Sequence, residues 1–307
     1  VGKKSEFSWS GAPLIPWRPL LVFLGMSVGT TTAIAVLCAS MGWSVNSPAW
    51  GLLAPIAMWA PALGRFAARR TVDLGFTSTL TLRRWGATGA RVVLVPLTVP
   101  LAVYGAAYAI AWSVGFAHWS PGGGKWTTGP KIAANLLINL SILGVVGTFT
   151  AMGEEIGWRG YLQPRLDAAG IRWSVVIVWL SQISYHAPLM AGAGYLNGSS
   201  FLTSLGLFAV GDLPMSFLFA WMSYRARSLW PAVFLHSFHN TISQWLFPKL
   251  FAGGDNELWL GEGGLLPVAG YVVLGTALFI WMRWRGPSWQ ALARGALTTS
   301  TAAMVPG

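Results

Sequence analysis

An all-α, polytopic bundle of about eight transmembrane helices is the fold this sequence predicts, and three observations predict it. Only 9% of the 307 residues are charged while 54% are apolar, whereas a soluble domain is about one quarter charged. Mean hydropathy is +0.55. Eight apolar stretches, each near the roughly 20 residues that a bilayer core asks of a helix, are separated by short polar connections. The apolar content excludes a disordered chain, and 37 glycines without a triplet period exclude collagen. Cys38 has no partner, so no disulfide framework exists.

The stretches run 19–41, 50–68, 92–116, 132–152, 175–190, 201–224, 229–247 and 265–282. The first exceeds the apolar region of a signal peptide and is expected to be retained. Between the second and third, residues 71–91 carry Leu74, Phe76, Leu80 and Leu82 together with Arg83, Arg84 and Arg91, which suits a segment lying in the cytoplasmic interface. Three consecutive glycines within 120–130 suggest a flexible loop, and the Thr, Ser, Ala and Gly of the tail after Pro287 suggest fraying. Basic residues orient spans. Counted by alternate sides, 17 of the 20 Lys and Arg share one side, leaving Lys125, Lys131 and Lys249 opposite. Both termini are therefore expected in the cytoplasm. The net charge of +11 then follows from insertion and from anionic lipid, with no need of nucleic acid.

Ionisable groups inside a bilayer are costly and mark function. Of nine acids, Glu6, Asp73, Asp167, Asp255, Glu257 and Glu262 fall in expected loops, leaving Glu154, Glu155 and Asp212. His118 is in a loop, and His186, His236 and His239 are in spans. Glu155 and Arg159 are at i, i+4 and pair on one helical face. Glu154 points about 100° away, so one carboxylate is a structural partner while the other is free for chemistry. Glu154 and His186 are each 16 residues from Gly170, so a helical hairpin turning near Ala169 sets them opposite one another. His236 and Asn240, again i, i+4, present imidazole and amide on one face. His239 is read chiefly as core packing, with a supporting role behind the site as the alternative. Asp212, near Gly211 and Pro214, either pairs with a pocket histidine or marks a kink.

This constellation resembles the CPBP family of intramembrane proteases, the group of CAAX prenyl protease type 2 and bacteriocin-processing proteins. The motif E-E-x-x-x-R is matched by Glu154, Glu155 and Arg159. F-x-x-x-H is matched at His186, with Gln182 where phenylalanine is usual, and H-x-x-x-N by His236 and Asn240. The resemblance spans about 131–247 and implies a four-helix catalytic core, flanked by three helices in 1–130 and a last span and tail in 248–307. It implies an endopeptidase acting on a membrane-associated peptide or protein at a cytoplasm-facing cavity. Two schemes fit. Glu154 is the general base on a water that His186 also holds, with His236 and Asn240 stabilising the oxyanion; or Glu154, His186 and His236 bind a metal such as zinc with water in the fourth position. The metal-free scheme is preferred because the chain has no H-E-x-x-H. In either, Glu155 and Arg159 position Glu154. The resemblance favours a bacterial plasma membrane.

Two other readings compete. A catalytically silent scaffold for another membrane protein would not need the buried polar set, and an ion-coupled transporter would show a repeated half, which is not seen. Gly25-Met26-Ser27-Val28-Gly29 matches G-x-S-x-G, but a nucleophile elbow needs a strand-to-helix turn. Inside a span it reads as a small-residue packing face.

Overall fold

The computed structural model describes residues 16–73, 78, 80–82, 89–196, 200–253, 256–284 and 291–293. The described residues are helical almost throughout. In order it forms α1 (Trp17–Met41), α2 (Trp50–Thr71), α3 (Arg91–Ser113) and α4 (Gly129–Gly157). A π-helical turn (Trp158–Leu162) leads to α5 (Gln163–Ala168), α6 (Ser174–Ala193), α7 (Phe201–Ala226) and α8 (Trp230–Thr241). A second π turn (Ile242–Leu246) precedes α9 (Phe247–Leu250), α10 (Asn256–Trp259) and α11 (Leu265–Trp284). This is an all-α, multi-pass membrane protein.

Among the described residues, seven helical runs are long and apolar enough to cross a membrane, with α4, the first π turn and α5 forming one of them. The expected span at 229–247 is not among the seven. That region is helical from Trp230 to Leu250, but His236, Ser237, His239, Asn240 and Gln244 dilute its apolar content. Its polar load is tolerated because α8 packs against α3, α4 and α7. Here the bundle, more than the lipid, is the solvent of the helix.

Lipid exposure and burial divide α4 along its length. Leu137, Ile138, Ile142, Val145, Val146 and Phe149 are exposed, whereas Thr150, Ala151, Gly153, Glu154, Glu155 and Gly157 are buried. Small residues make that burial possible. A Cβ on Gly153 would lie 2.6 Å from the Met58 carbonyl oxygen, and one on Gly157 would collide with Pro61 Cβ, so α2 and α4 meet backbone to backbone.

Three expectations are corrected, and the segment expected in the interface after α2 is seen to pack on the bundle. Gly25 and Gly29 are exposed, with open space where a Cβ would stand, so the glycines of the G-x-S-x-G segment make no packing face, and only Ser27 of the segment's small residues is buried against α2. The close approach of α1 to α2 is made by Gly64 instead, whose added Cβ would meet the Phe23 carbonyl oxygen at 2.7 Å and Ser27 Oγ at 2.9 Å. Within the connection after α2, Leu80 is buried with Tyr224, Leu229 and Val233, and Leu82 packs on the same cluster. There the chain is held by Leu229 N donating to the Thr81 carbonyl and Trp230 Nε1 to that of Leu82. Leu74, Phe76, Arg83 and Arg84 lie outside the described residues. The three-glycine loop is tethered: β1 (His118–Trp119) pairs antiparallel with β2 (Phe251–Ala252), and Ser120 and Gly122 donate to the carbonyls of Leu250 and Lys249. Finally, α6 packs chiefly on α1 and α7 rather than lying along α4, so the expected hairpin opens around a cavity instead of closing on itself.

The turn of that hairpin is built as expected near Gly170, which takes φ +78. Asp167 fixes it, accepting from Ser174 Oγ at 2.6 Å, Gln163 Nε2 at 3.1 Å and the Tyr224 hydroxyl. Asp73 anchors the end of α2 to the same region through Arg165 at 3.0 Å and Tyr161 at 2.9 Å. In the tail, Ala293 is buried and Leu292 packs beside it. Residues 285–290 and 294–307 lie outside the described residues, as do Lys3, Lys4 and Glu6.

Candidate active site

Each functional side chain is set by a local helical relation. On the last turn of α4, Glu154 accepts from Trp158 Nε1 at 3.1 Å through Oε2, one turn along the chain. That leaves Oε1 facing His236 Nε2 at 4.0 Å. Glu155 turns the other way. Its Oε1 receives Arg159 Nη1 at 3.3 Å and His236 Nδ1 at 2.9 Å, and Glu155 and Arg159 are both 0% exposed. The expected pair is present, and it also orients a histidine. An ionised Glu155 only accepts, so the hydrogen bond puts a proton on His236 Nδ1 and aims Nε2 at Glu154.

The sequence places Arg159 at a helix end on the basic side. It is instead enclosed, with Nη2 donating to Gln182 Oε1 at 3.1 Å and to Ser216 Oγ at 3.5 Å, and its guanidinium 4.4 Å above the Phe219 ring. It therefore does not belong in the loop-charge count. Gln182, the residue standing where phenylalanine is usual, also accepts from Ser216 Oγ at 3.0 Å. The substitution replaces an aromatic contact by an acceptor for a buried cation.

His186 is clamped from three sides. Nδ1 is 2.9 Å from the Gln182 carbonyl oxygen, an acceptor only, so the proton sits on Nδ1 and Nε2 is the free atom. The ring stacks on Tyr195 (5.9 Å, 22°), leans on Phe208 (4.7 Å) and takes the edge of Tyr185 (4.7 Å).

One cavity of about 140 Å³ is lined by Glu154, His186, Asp212, His236, Asn240 and Glu262, among others. The structure thus brings Glu154, His186, His236 and Asn240 to one place. Asp212 joins them, with Ser216 Oγ 3.4 Å from its Oδ2. Glu155 and Arg159 stand behind the wall. A zinc site needs three donors within about 2.0–2.2 Å of one point. Among the described residues no three His, Cys, Asp or Glu side chains are gathered as a metal would need. The zinc set of Glu154, His186 and His236 therefore finds no support in this geometry.

Glu262, which the spacing of the apolar runs puts in a loop, is largely enclosed, its side chain 11% exposed, and this is the largest feature that sequence reasoning missed. Its carboxylate receives the Tyr195 hydroxyl at 3.1 and 3.2 Å, Gln244 Nε2 at 2.9 Å and His239 Nε2 at 3.4 Å. Its backbone oxygen receives the Tyr104 hydroxyl at 3.0 Å, and His239 Nδ1 meets the Tyr271 hydroxyl at 2.8 Å. Burial pushes the Glu262 carboxyl up, but the bonds and charge of His239, with Gln244 and Tyr195, outweigh it and hold the group below its ordinary range. His239 is thus more than core packing, since it joins α8 to this hub.

Residues 135–242 match the profile of the family described as type II CAAX prenyl endopeptidase, Rce1-like. Over that segment the chain is similar to the Rce1-like endopeptidases. No curated protein matches the chain at a significant level. Every residue of the Rce1-like motifs, from Glu154 to Asn240, falls inside the matched segment, and the four that line the cavity sit on three of its helices. Tyr195 also lies within it, whereas Glu262 lies beyond it.

Proposed function

We propose that the protein is an intramembrane endopeptidase that hydrolyses a peptide bond of a membrane-associated peptide or protein, with residues 131–247 as its catalytic unit. The observation that carries this is the division between the two adjacent glutamates. Glu155 is engaged by Arg159 and His236, while Glu154 presents Oε1 to a shared cavity opposite a histidine. In the reaction a water between Glu154 and His186 gives its proton to Glu154, with His186 Nε2 accepting the water's second hydrogen bond. The oxygen attacks the scissile carbonyl carbon, and the carbonyl oxygen takes the negative charge. Asn240 donates to that oxyanion, as does His236 Nε2–H in the imidazolium form flanked by the two glutamates. Collapse breaks the C–N bond, and the proton held by Glu154 passes to the leaving nitrogen.

The Arg-rich side of the bundle supports a cytoplasm-facing cavity with both termini cytoplasmic, and we assign the protein to a bacterial plasma membrane. The CAAX prenyl endopeptidases named by the matched family motivate lipid-anchored peptides as a substrate class. The test is purified protein in lipid nanodiscs, given peptides anchored by a prenyl group, an acyl group or a transmembrane segment, with and without a zinc chelator. Cleavage of an anchored peptide that survives chelation supports the reading. No cleavage of any class favours the silent scaffold, and cleavage abolished by the chelator and restored by zinc overturns the metal-free scheme.

A further inference from the structure

A second concave site lies away from the catalytic cavity and shares no lining residue with it. Towards the C-terminal end of α2, Ala62, Arg65, Phe66, Arg69 and Arg70 form a groove of about 500 Å³ with Ile156 of α4. Three arginines gathered on one groove repel, as Arg65 and Arg69 do, and such a set normally recruits a carboxylate. None is present among the described residues. Asp73 is engaged by Arg165 and Tyr161, Glu155 by Arg159, and Arg65, Arg69 and Arg70 form no ion pair among the described residues.

A second observation points to an absent acceptor. Arg69 Nε is buried and has no hydrogen-bond partner among the described residues, a state that is costly unless something fills it. The groove is also not an even coat of charge. Arg70 lies over the Phe66 ring at 4.8 Å, and Ala62 and Ile156 complete an apolar floor. Space for Arg65 comes from the π turn, where a Cβ on Gly160 would stand 3.4 Å from Arg65 Nη1.

We propose that this groove binds a phosphate group, held by the forked donors of Arg65, Arg69 and Arg70. Arginine matches phosphate geometry through paired N–H donors and keeps its charge in a partly buried setting. Two sources supply such a group, an anionic phospholipid headgroup and free phosphate. The groove lies at the end of a membrane-crossing helix, and its apolar floor suits a glycerol and acyl chain, so the lipid is the assigned source. One bound lipid would then brace α2 against α4, the helix that carries Glu154.

The experiment is native mass spectrometry of the full chain released from nanodiscs of phosphatidylcholine doped with phosphatidylglycerol, with inorganic phosphate in a parallel arm. The variants are R65Q/R69Q/R70Q and, as a control of equal kind elsewhere on the basic side, R225Q/R227Q. Wild type should retain one phosphatidylglycerol, and each groove arginine removed should weaken retention by about fivefold, whereas the control should retain it normally. Equal loss in both variants would show diffuse surface attraction and overturn the site, as would retention unchanged in the groove variant. Occupancy by inorganic phosphate in competition with the lipid would keep the phosphate site and overturn the lipid assignment. Should the triple variant fail to fold, R69K is read in its place. It keeps the charge and loses the fork, and its retention should fall, while normal retention would overturn the proposal.

Discussion

Glu154 and Glu155 differ by one position, and helix geometry sends them to different chemistry. Glu155 receives two donors through one oxygen, while its Oε2 has no partner. Its energy is therefore concentrated in Arg159 and His236. Glu155→Gln should unseat both and destabilise the protein by about 3–5 kcal/mol, as expected when one member of a buried ion pair is removed. Chemical denaturation in detergent measures this. Adding Arg159→Gln should cost less in that background than in wild type, because the two are coupled. Gln182 is the other informative residue. It accepts from Arg159 and Ser216, and Gln182→Ala should cost about 1–3 kcal/mol by leaving a buried cation short of an acceptor. The same denaturation assay checks it, and the result should exceed that of an exposed substitution such as Leu137→Ala.

At the scale of elements, the chain depends on close helix approach in α2 and α4 and on two π turns that follow the polar motifs. Gly157→Ala should collide with Pro61 and destabilise by about 1–3 kcal/mol through overpacking, whereas Gly25→Ala, facing open space, should stay within about 0.5 kcal/mol of wild type. Melting curves of the two variants side by side decide it. The long apolar runs are legible in the sequence because lipid demands them continuously. The π turns at Trp158–Leu162 and Ile242–Leu246 are not, since one inserted residue in a helical turn leaves no compositional mark. Nor is the tethering of residues 118–122 to 249–252, which is made by backbone groups any residue carries. The seventh expected span was legible as a helix, but its polar residues signalled enclosure by neighbours as much as membrane crossing.

For the whole molecule, the cavity joins elements from both sides of the matched segment. Ionisable residues were legible because a bilayer makes them conspicuous: Glu154, Glu155, His186, His236 and Asp212 are found by asking which charges lie in spans. Gln182, Ser216 and Tyr195 carry neutral polar groups common in any helix, and Glu262 was hidden by an address between spans. Glu262 ties Tyr195, against which His186 stacks, to His239 on the helix of His236. Because its carboxyl is held below the ordinary range, its contribution to stability is present above the unfolded carboxylate pKa and is lost as pH falls through the folded value. Glu262→Gln should therefore lower the melting temperature most near neutral pH and least at strongly acidic pH, so that the two profiles converge on the acid side. Parallel profiles would contradict the assignment.

In the proposed reaction Glu154 handles the proton of the attacking water and Glu155 does not. Single-turnover cleavage of an anchored peptide by Glu154→Gln, with its melting temperature followed in parallel, bears on this step without intermediaries. An amide cannot take the proton, and loss of a general base typically costs about 10²–10⁴-fold in rate. A folded protein of wild-type stability, with turnover reduced by at least that order, is the expected result. Turnover within a few fold of wild type in a correctly folded Glu154→Gln variant would contradict it.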